Sequence, residues 1–172
     1  MSRGFVREDD QEEAPFVPPR APLPPGVENH VTPRGLRLLQ EERAELEGER
    51  AAVKGDEDDR RRAIAVINAQ LELLNERIAT ARVRDVAEQG TDEVRFGCRV
   101  TLLVRNGPQA GTSRAFTIVG VDEASVAEQR IAFTAPIVRA VLSRHLGDRV
   151  TFALGAQVQE LEVTAIDLPS ER

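Results

Sequence analysis

Between residues 36 and 83 the apolar positions recur every seven residues, and the repeat is broken once. Ile64, Ile67, Leu71, Leu74, Ile78 and Ala81 step by three and four, which places them on one stripe of a helix and suits a helix–helix seam. Leu36, Leu39, Leu46 and Val53 follow the same repeat, with Arg43 and Arg50 in the two remaining seam places. Gly55-Asp56-Glu57-Asp58-Asp59 interrupts the pattern. The reading is an antiparallel helical hairpin with an acidic apex: one helix from Thr32-Pro33 to about Lys54, an apex over residues 55–58, and a second helix from about Asp59 to Val83. Thr32 is suited to cap the first helix, and Pro33 is tolerated in a first turn where no N–H is needed. Acidic residues at the start of the second helix favour its positive dipole end.

From Val94 the period changes. Short runs rich in β-branched residues cover 94–104, 114–119, 130–134, 149–154 and 158–166. Turn signals at Asn106-Gly107-Pro108, Gly111, Gly120 and Gly155 separate them. Residues 136–142 read as a short helix with Pro136 in its first turn. The expected fold class is α+β: a helical hairpin (coiled coil) over 31–84, a linker over 85–93, and a small antiparallel sheet domain with one short helix over 94–168.

Residues 1–30 carry six of the ten prolines and the acidic patch Glu8-Asp9-Asp10 with Glu12-Glu13. Such a segment buries too little apolar surface to offset its ordering entropy, so a disordered or polyproline-like tail is expected. Phe5 and Phe16 are its candidate anchors for a partner.

Charge and cysteine narrow the function classes. A net charge of -6 and a pI near 5.1 give no basic footprint for phosphate-driven nucleic-acid binding, so contact with RNA or DNA is expected to be indirect. Cys98 is the single cysteine, which excludes an intramolecular disulfide and a cysteine-based zinc site. His30 and His145 have no recognisable partners in the sequence. With no long apolar run or signal segment, a cytoplasmic protein with no membrane contact is expected. The breaker at Gly55 favours an intrachain hairpin and a monomer over a coiled-coil oligomerisation module.

Four ordered blocks in the C-terminal half carry a family resemblance. They are Val94, Phe96, Gly97 and Val100; Ile118-Val119-Gly120-Val121-Asp122-Glu123-Ala124; Pro136-Ile137-Val138-Arg139-Ala140; and Gly147-Asp148-Arg149-Val150. They resemble the C-terminal domain of the GreA/GreB transcript-cleavage factors. Val31-Thr32-Pro33-Arg34-Gly35-Leu36 and Ala81-Arg82-Val83-Arg84-Asp85 resemble that family's way into and out of its coiled coil. The proline-rich segment lies outside the family pattern.

The resemblance implies an FKBP-like sheet domain that docks on bacterial RNA polymerase at its secondary channel, with the coiled coil inserted into the channel. It implies a docking surface of Asp122, Glu123, Pro136 and Ile137. It also implies that the tip carboxylates Asp56 and Asp59, beside Glu57 and Asp58, transiently share the polymerase's Mg²⁺, a hard cation that takes oxygen ligands. The protein itself would be an accessory factor, not an enzyme, with no cofactor of its own.

Two features set this chain apart from the pattern. The hairpin is roughly sixteen residues shorter than the resemblance leads one to expect, which at about 1.5 Å per helical residue withdraws the tip by roughly 12 Å. Arg60-Arg61-Arg62 follows the apex directly, placed to pair with the carboxylates or to meet channel walls and RNA phosphate. The preferred expectation is therefore a Gre-like regulator without strong cleavage activity; the alternative is an active cleavage factor using Asp56 and Asp59. A prolyl isomerase, the rival from another class, needs an aromatic pocket. The chain has no Trp or Tyr, and Phe96, Phe116, Phe133 and Phe152 fall in strand patterns that assign them to the core.

Overall fold

The computed structural model describes residues 14–86 and 90–169. Two long helices, α1 (Pro33–Ala52) and α2 (Glu57–Thr80), lie side by side. They run in opposite directions: Leu36, Leu39 and Leu46 of α1 share a core with Leu74 and Ile78 near the far end of α2, while Arg50 reaches Asn68 at 3.1 Å. Leu39 and Leu74 are fully enclosed, each worth about 1.5–3 kcal/mol of transfer free energy. The α1 N-terminus forms as its sequence dictates: Thr32 Oγ1 accepts the Gly35 N–H at 2.9 Å and Pro33 fills the first turn.

Both helices end earlier than the repeat alone suggests. α1 stops at Ala52, not Lys54, because Val53 is extended (ψ 125°). α2 stops at Thr80, not Val83, because the chain straightens at Ala81 (ψ 131°). Arg82–Val83 (β2) then pairs in parallel with His30–Val31 (β1). This two-stranded clip closes the open end of the helix pair. Of the expected linker, residues 87–89 lie outside the described residues.

The C-terminal part is a five-stranded sheet built from β3 (Arg99–Val104), β4 (Ser113–Val119), β5 (Arg130–Ala132), β6 (Arg149–Leu154) and β7 (Gln157–Asp167), in the order β5-β4-β3-β7-β6. The short helix α3 (Pro136–Val141) packs on it. Alternate residues of β3, Val100, Leu102 and Val104, face the core, where they meet Phe116, Ile118, Leu161 and Val163 from the sheet and Val138 and Val141 from α3. The first predicted run is shorter as a strand: Gly97 has φ +88°, and the turn there delays β3 to Arg99. A second correction concerns strand direction. β4 and β5 are parallel, not antiparallel, because the chain loops through residues 120–129 and re-enters beside β4 in the same sense.

The described part of the proline-rich segment is also corrected. Residues 14–29 belong to the expected disordered tail, but the structure sets them against the helices: Arg20 pairs with Glu42 and Asp122, and Asn29 is buried. Prolines have already surrendered backbone freedom, so charged contacts offset the small remaining entropy cost. The acidic stretch from Glu8 to Glu13 and Phe5 lie outside the described residues.

Candidate functional site

The apex between the helices is set by backbone chemistry. Gly55 has φ +130°, a conformation that L side chains rarely adopt. It turns the chain so that Asp56 becomes the N-cap of α2, where its Oδ1 accepts the Asp59 N–H at 2.9 Å. Asp56 and Asp59 are thus brought together, but as cap and capped residue. Asp56 sits outside the helix in extended backbone, not on one helical face with Asp59.

Glu57, Asp58 and Asp59 fill the first turn, and each has an arginine three residues later. Arg60 lies 3.9 Å from Glu57, Arg61 3.1 Å from Asp58, and Arg62 3.7 Å from Asp59. All six side chains are about half exposed or more, so each pair contributes only about 0–1 kcal/mol. The tip is a solvated, internally compensated charge cluster. Among the described residues no group of three or more His, Cys, Asp or Glu side chains is arranged to hold a metal ion.

Asp122 and Glu123, which the resemblance implies as part of a docking surface, turn their carboxylates inward at the joint between α1 and the sheet domain. The Glu123 side chain is 2% exposed. Its Oε2 accepts the Thr32 hydroxyl at 2.5 Å, and its Oε1 accepts Arg34 at 3.2 Å and Arg130 at 3.0 Å. Asp122 is held by Arg20 at 2.9 Å and Arg77 at 3.3 Å. The physical reason is the cost of an uncompensated buried charge: four arginines and a hydroxyl from distant chain segments converge to compensate two carboxylates. Gly35 makes this possible, since a Cβ there would stand 2.8 Å from Glu123 Oε2. Gly120 allows the same approach on the other side, where a Cβ would stand 2.7 Å from the His30 carbonyl oxygen.

Pro136 is exposed at the start of α3, and Ile137 is half-buried against the sheet core. Sequence reasoning missed Arg20, Arg34, Glu42, Arg77 and Arg130, which make the joint. Its available signal was the Thr32-Pro33-Arg34-Gly35 run, where a small residue follows a cation inside a helix start. The four phenylalanines of the sheet domain serve its core: Phe116 is buried, and Phe96, Phe133 and Phe152 pack against it. No described helix is long and apolar enough to cross a membrane.

Residues 89–168 match the family model "Transcription elongation factor, GreA/GreB, C-term". Over that stretch the chain is similar to the C-terminal domain of the GreA/GreB family. A transcription elongation factor GreA from Hyphomonas neptunium is 33% identical over 100 residues, which is 58% of this chain and 62% of that relative, less than two thirds of its length. A transcription elongation factor GreB from Neisseria meningitidis is 26% identical over 158 residues, 82% of this chain and 94% of the relative. The crystal structure of GreA factor homolog 1 of Thermus thermophilus is 22% identical, with 81% of this chain and 99% of that chain covered and a TM-score of 0.37.

The two GreA/GreB alignments differ in how fully they use this chain. The Neisseria match runs over 158 positions, yet 82% of 172 residues is about 141, so about 17 positions of the relative have no counterpart here. The Hyphomonas match needs no such gap, since 58% of 172 is about 100.

Proposed function

We propose that the protein is a transcription elongation regulator that binds bacterial RNA polymerase at its secondary channel through the sheet domain. In this reading the domain is FKBP-like, as the family resemblance implies, and the helix pair enters the channel mouth without strong stimulation of RNA cleavage. The observation that carries the reading is the state of the tip. Asp56 is engaged as the α2 cap, and the three carboxylates behind it each face an arginine.

Reach adds the larger effect. Exposed ion pairs cost about 1 kcal/mol or less to break, so the arginines alone would not bar a metal. A tip withdrawn by roughly 12 Å, from roughly eight fewer residues per arm, cannot bring a carboxylate within about 2.1 Å of Mg²⁺. Pro136 and Ile137 remain the proposed polymerase contacts, and Arg60, Arg61 and Arg62 the proposed contacts with channel walls or RNA phosphate. Asp56 and Asp59 hold no metal of their own in this reading, and the protein acts as a monomer.

The test has two arms on stalled, backtracked complexes with cognate polymerase. A pull-down is expected to retain the chain on polymerase; no retention removes the whole reading. A transcript-cleavage assay is expected to give little RNA release. Robust cleavage that disappears in the Asp56→Ala/Asp59→Ala double variant would instead establish an active cleavage factor.

A further inference from the structure

Residues 14–28 cross the joint between the helix pair and the sheet domain as an extended segment, held among the described residues by a small number of polar contacts. From residue 14 to residue 27 the only charged side chain is Arg20. Its guanidinium forms a fork on Glu42 of α1 at 2.8 and 3.0 Å and reaches Asp122 of the sheet domain at 2.9 Å. The hydrogen bond to Glu42 is the main influence raising the Arg20 pKa, against burial. Arg77 adds a hydrogen bond to the Ala21 carbonyl at 2.6 Å. The segment's backbone bonding is local, from the Val27 N–H to the Pro24 carbonyl at 3.1 Å.

Packing beneath the segment is loose on both flanks. A cavity of about 440 Å³ opens on one side, lined by Leu23, Val27, Leu73 and Thr80. Another of about 450 Å³ opens on the other, lined by Val17, Leu46, Leu73 and Val121 with Glu42 and Asp122. Towards the far end Phe16 is 88% exposed. The near end is fixed: Asn29 is buried and donates to the Arg77 carbonyl at 2.9 Å, just past a turn at Gly26 with φ +77°. One firm end, where Glu28 also pairs with Arg84 at 3.4 Å, a turn, one arginine latch beyond it and open space on both flanks describe a strap that can swing.

We propose that residues 14–28 are a displaceable strap acting as a built-in pseudo-ligand. It occupies a groove whose ligand is an extended, proline-rich segment bearing one arginine. Specificity lies in the two carboxylates, Glu42 and Asp122, spaced to take one guanidinium fork, above an apolar floor of Leu46, Leu73 and Val121. Prolines keep the occupant extended, so little entropy is lost on seating. The strap lowers the groove's affinity for a competing segment by being tethered beside it. This inference needs no polymerase and stands or falls independently of the function proposed above.

The experiment uses the full chain and a fluorescently labelled peptide of residues 14–27, with binding read by anisotropy. Arg20→Ala in the chain unlatches the strap, so the Arg20→Ala chain is expected to bind the peptide roughly tenfold more tightly than the unaltered chain, one charge-assisted fork being worth about that factor. A peptide carrying Arg20→Ala is expected not to bind either chain, and Arg20→Lys in the chain, which keeps the charge but loses the fork, is expected to fall between. Glu42→Gln, at a half-exposed position, is expected to weaken peptide binding while the circular dichroism spectrum stays unchanged. Equal binding to the unaltered and Arg20→Ala chains, equal binding of both peptides, or no binding to the Arg20→Ala chain would each overturn the proposal.

Discussion

Thr32 Oγ1 donates to Glu123 Oε2 at 2.5 Å across 91 residues of sequence, while the same hydroxyl oxygen accepts the Gly35 N–H at 2.9 Å. One side chain therefore caps α1 and ties that helix to the sheet domain. The start of the helix and the placing of the domain thus share one hydroxyl. Glu123 completes the tie by drawing in Arg34 and Arg130.

Removing the carboxylate should expose the cost of that arrangement. Glu123→Ala leaves Thr32, Arg34 and Arg130 without their common partner, and the two arginines keep some access to water, with 29% and 21% of their side chains exposed. The expected loss is roughly 2–3 kcal/mol, at the lower edge of the range for broken buried pairs. Urea unfolding of the variant and the unaltered chain measures it. A change below about 0.5 kcal/mol, the usual size for an unremarkable surface site, would remove Glu123 from the joint's energetics.

Two glycines in α1 should respond in opposite directions to the same substitution. Gly48 has nothing within 4 Å of its missing Cβ, so Gly48→Ala should stabilise the helix by about 0.5–1 kcal/mol through propensity alone. Gly35→Ala gains the same propensity but sets a methyl group 2.8 Å from Glu123 Oε2, and the carboxylate cannot retreat without leaving its arginines. Thermal unfolding should show a higher midpoint for Gly48→Ala and a lower one for Gly35→Ala. The two penalties should not add in a Gly35→Ala/Glu123→Ala pair, because the clash vanishes with the carboxylate.

The contrast between these glycines marks how far sequence reasoning reached. The helix stripes were legible because the residues at 64, 67, 71, 74 and 78 repeat locally, and local periodicity is a property of neighbours along the chain. The strand runs were legible for the same reason. The parallel pairing of β5 was not, since Arg130–Ala132 is three residues long and its direction is set by a loop. The joint was illegible for a deeper reason: Arg20, Thr32, Arg77 and Arg130 converge on Asp122 and Glu123 from positions up to 102 residues apart, and charged residues in sequence look alike whether they meet water or each other. Asp122 and Glu123 were singled out by resemblance, yet their side chains turned out to face inward. At the tip Asp56 and Asp59 stand as cap and capped residue, a relation set by the extended backbone at Asp56 rather than by any periodicity along the chain.

Cys98 offers a check on the sheet core. Cys98 is 4% exposed, and burial pushes its thiol pKa up from the ordinary value, so both the access and the thiolate fraction needed for reaction are reduced. A disulfide reagent such as DTNB should react slowly with the native chain at neutral pH and rapidly once urea unfolds it. Fast reaction in the native state would mean that β3 opens at Arg99 far more readily than its packing indicates.

His30 should make stability depend on pH. The ring packs at 5.7 Å from Phe96 and 5.5 Å from Phe133, and its Nδ1 accepts from Arg84 at 3.4 Å. Burial lowers its pKa first and the Arg84 charge second, with Glu28 opposing them. The folded pKa therefore lies below the unfolded one, so the unfolded chain takes up a proton first. The neutral ring's contribution is fully present above the unfolded value of about 6.5 and is lost as pH falls towards the folded value. Urea midpoints should decline between about pH 7 and pH 5, and the decline should be shallower in His30→Gln, which keeps a polar group but does not titrate. Glu28 and Arg84 are the charged groups facing the ring, and neither replaces this signal, since removing the ring alone is what flattens the slope. Identical slopes in the two chains would show that protonation of His30 is not felt at the contact between β1 and the sheet domain.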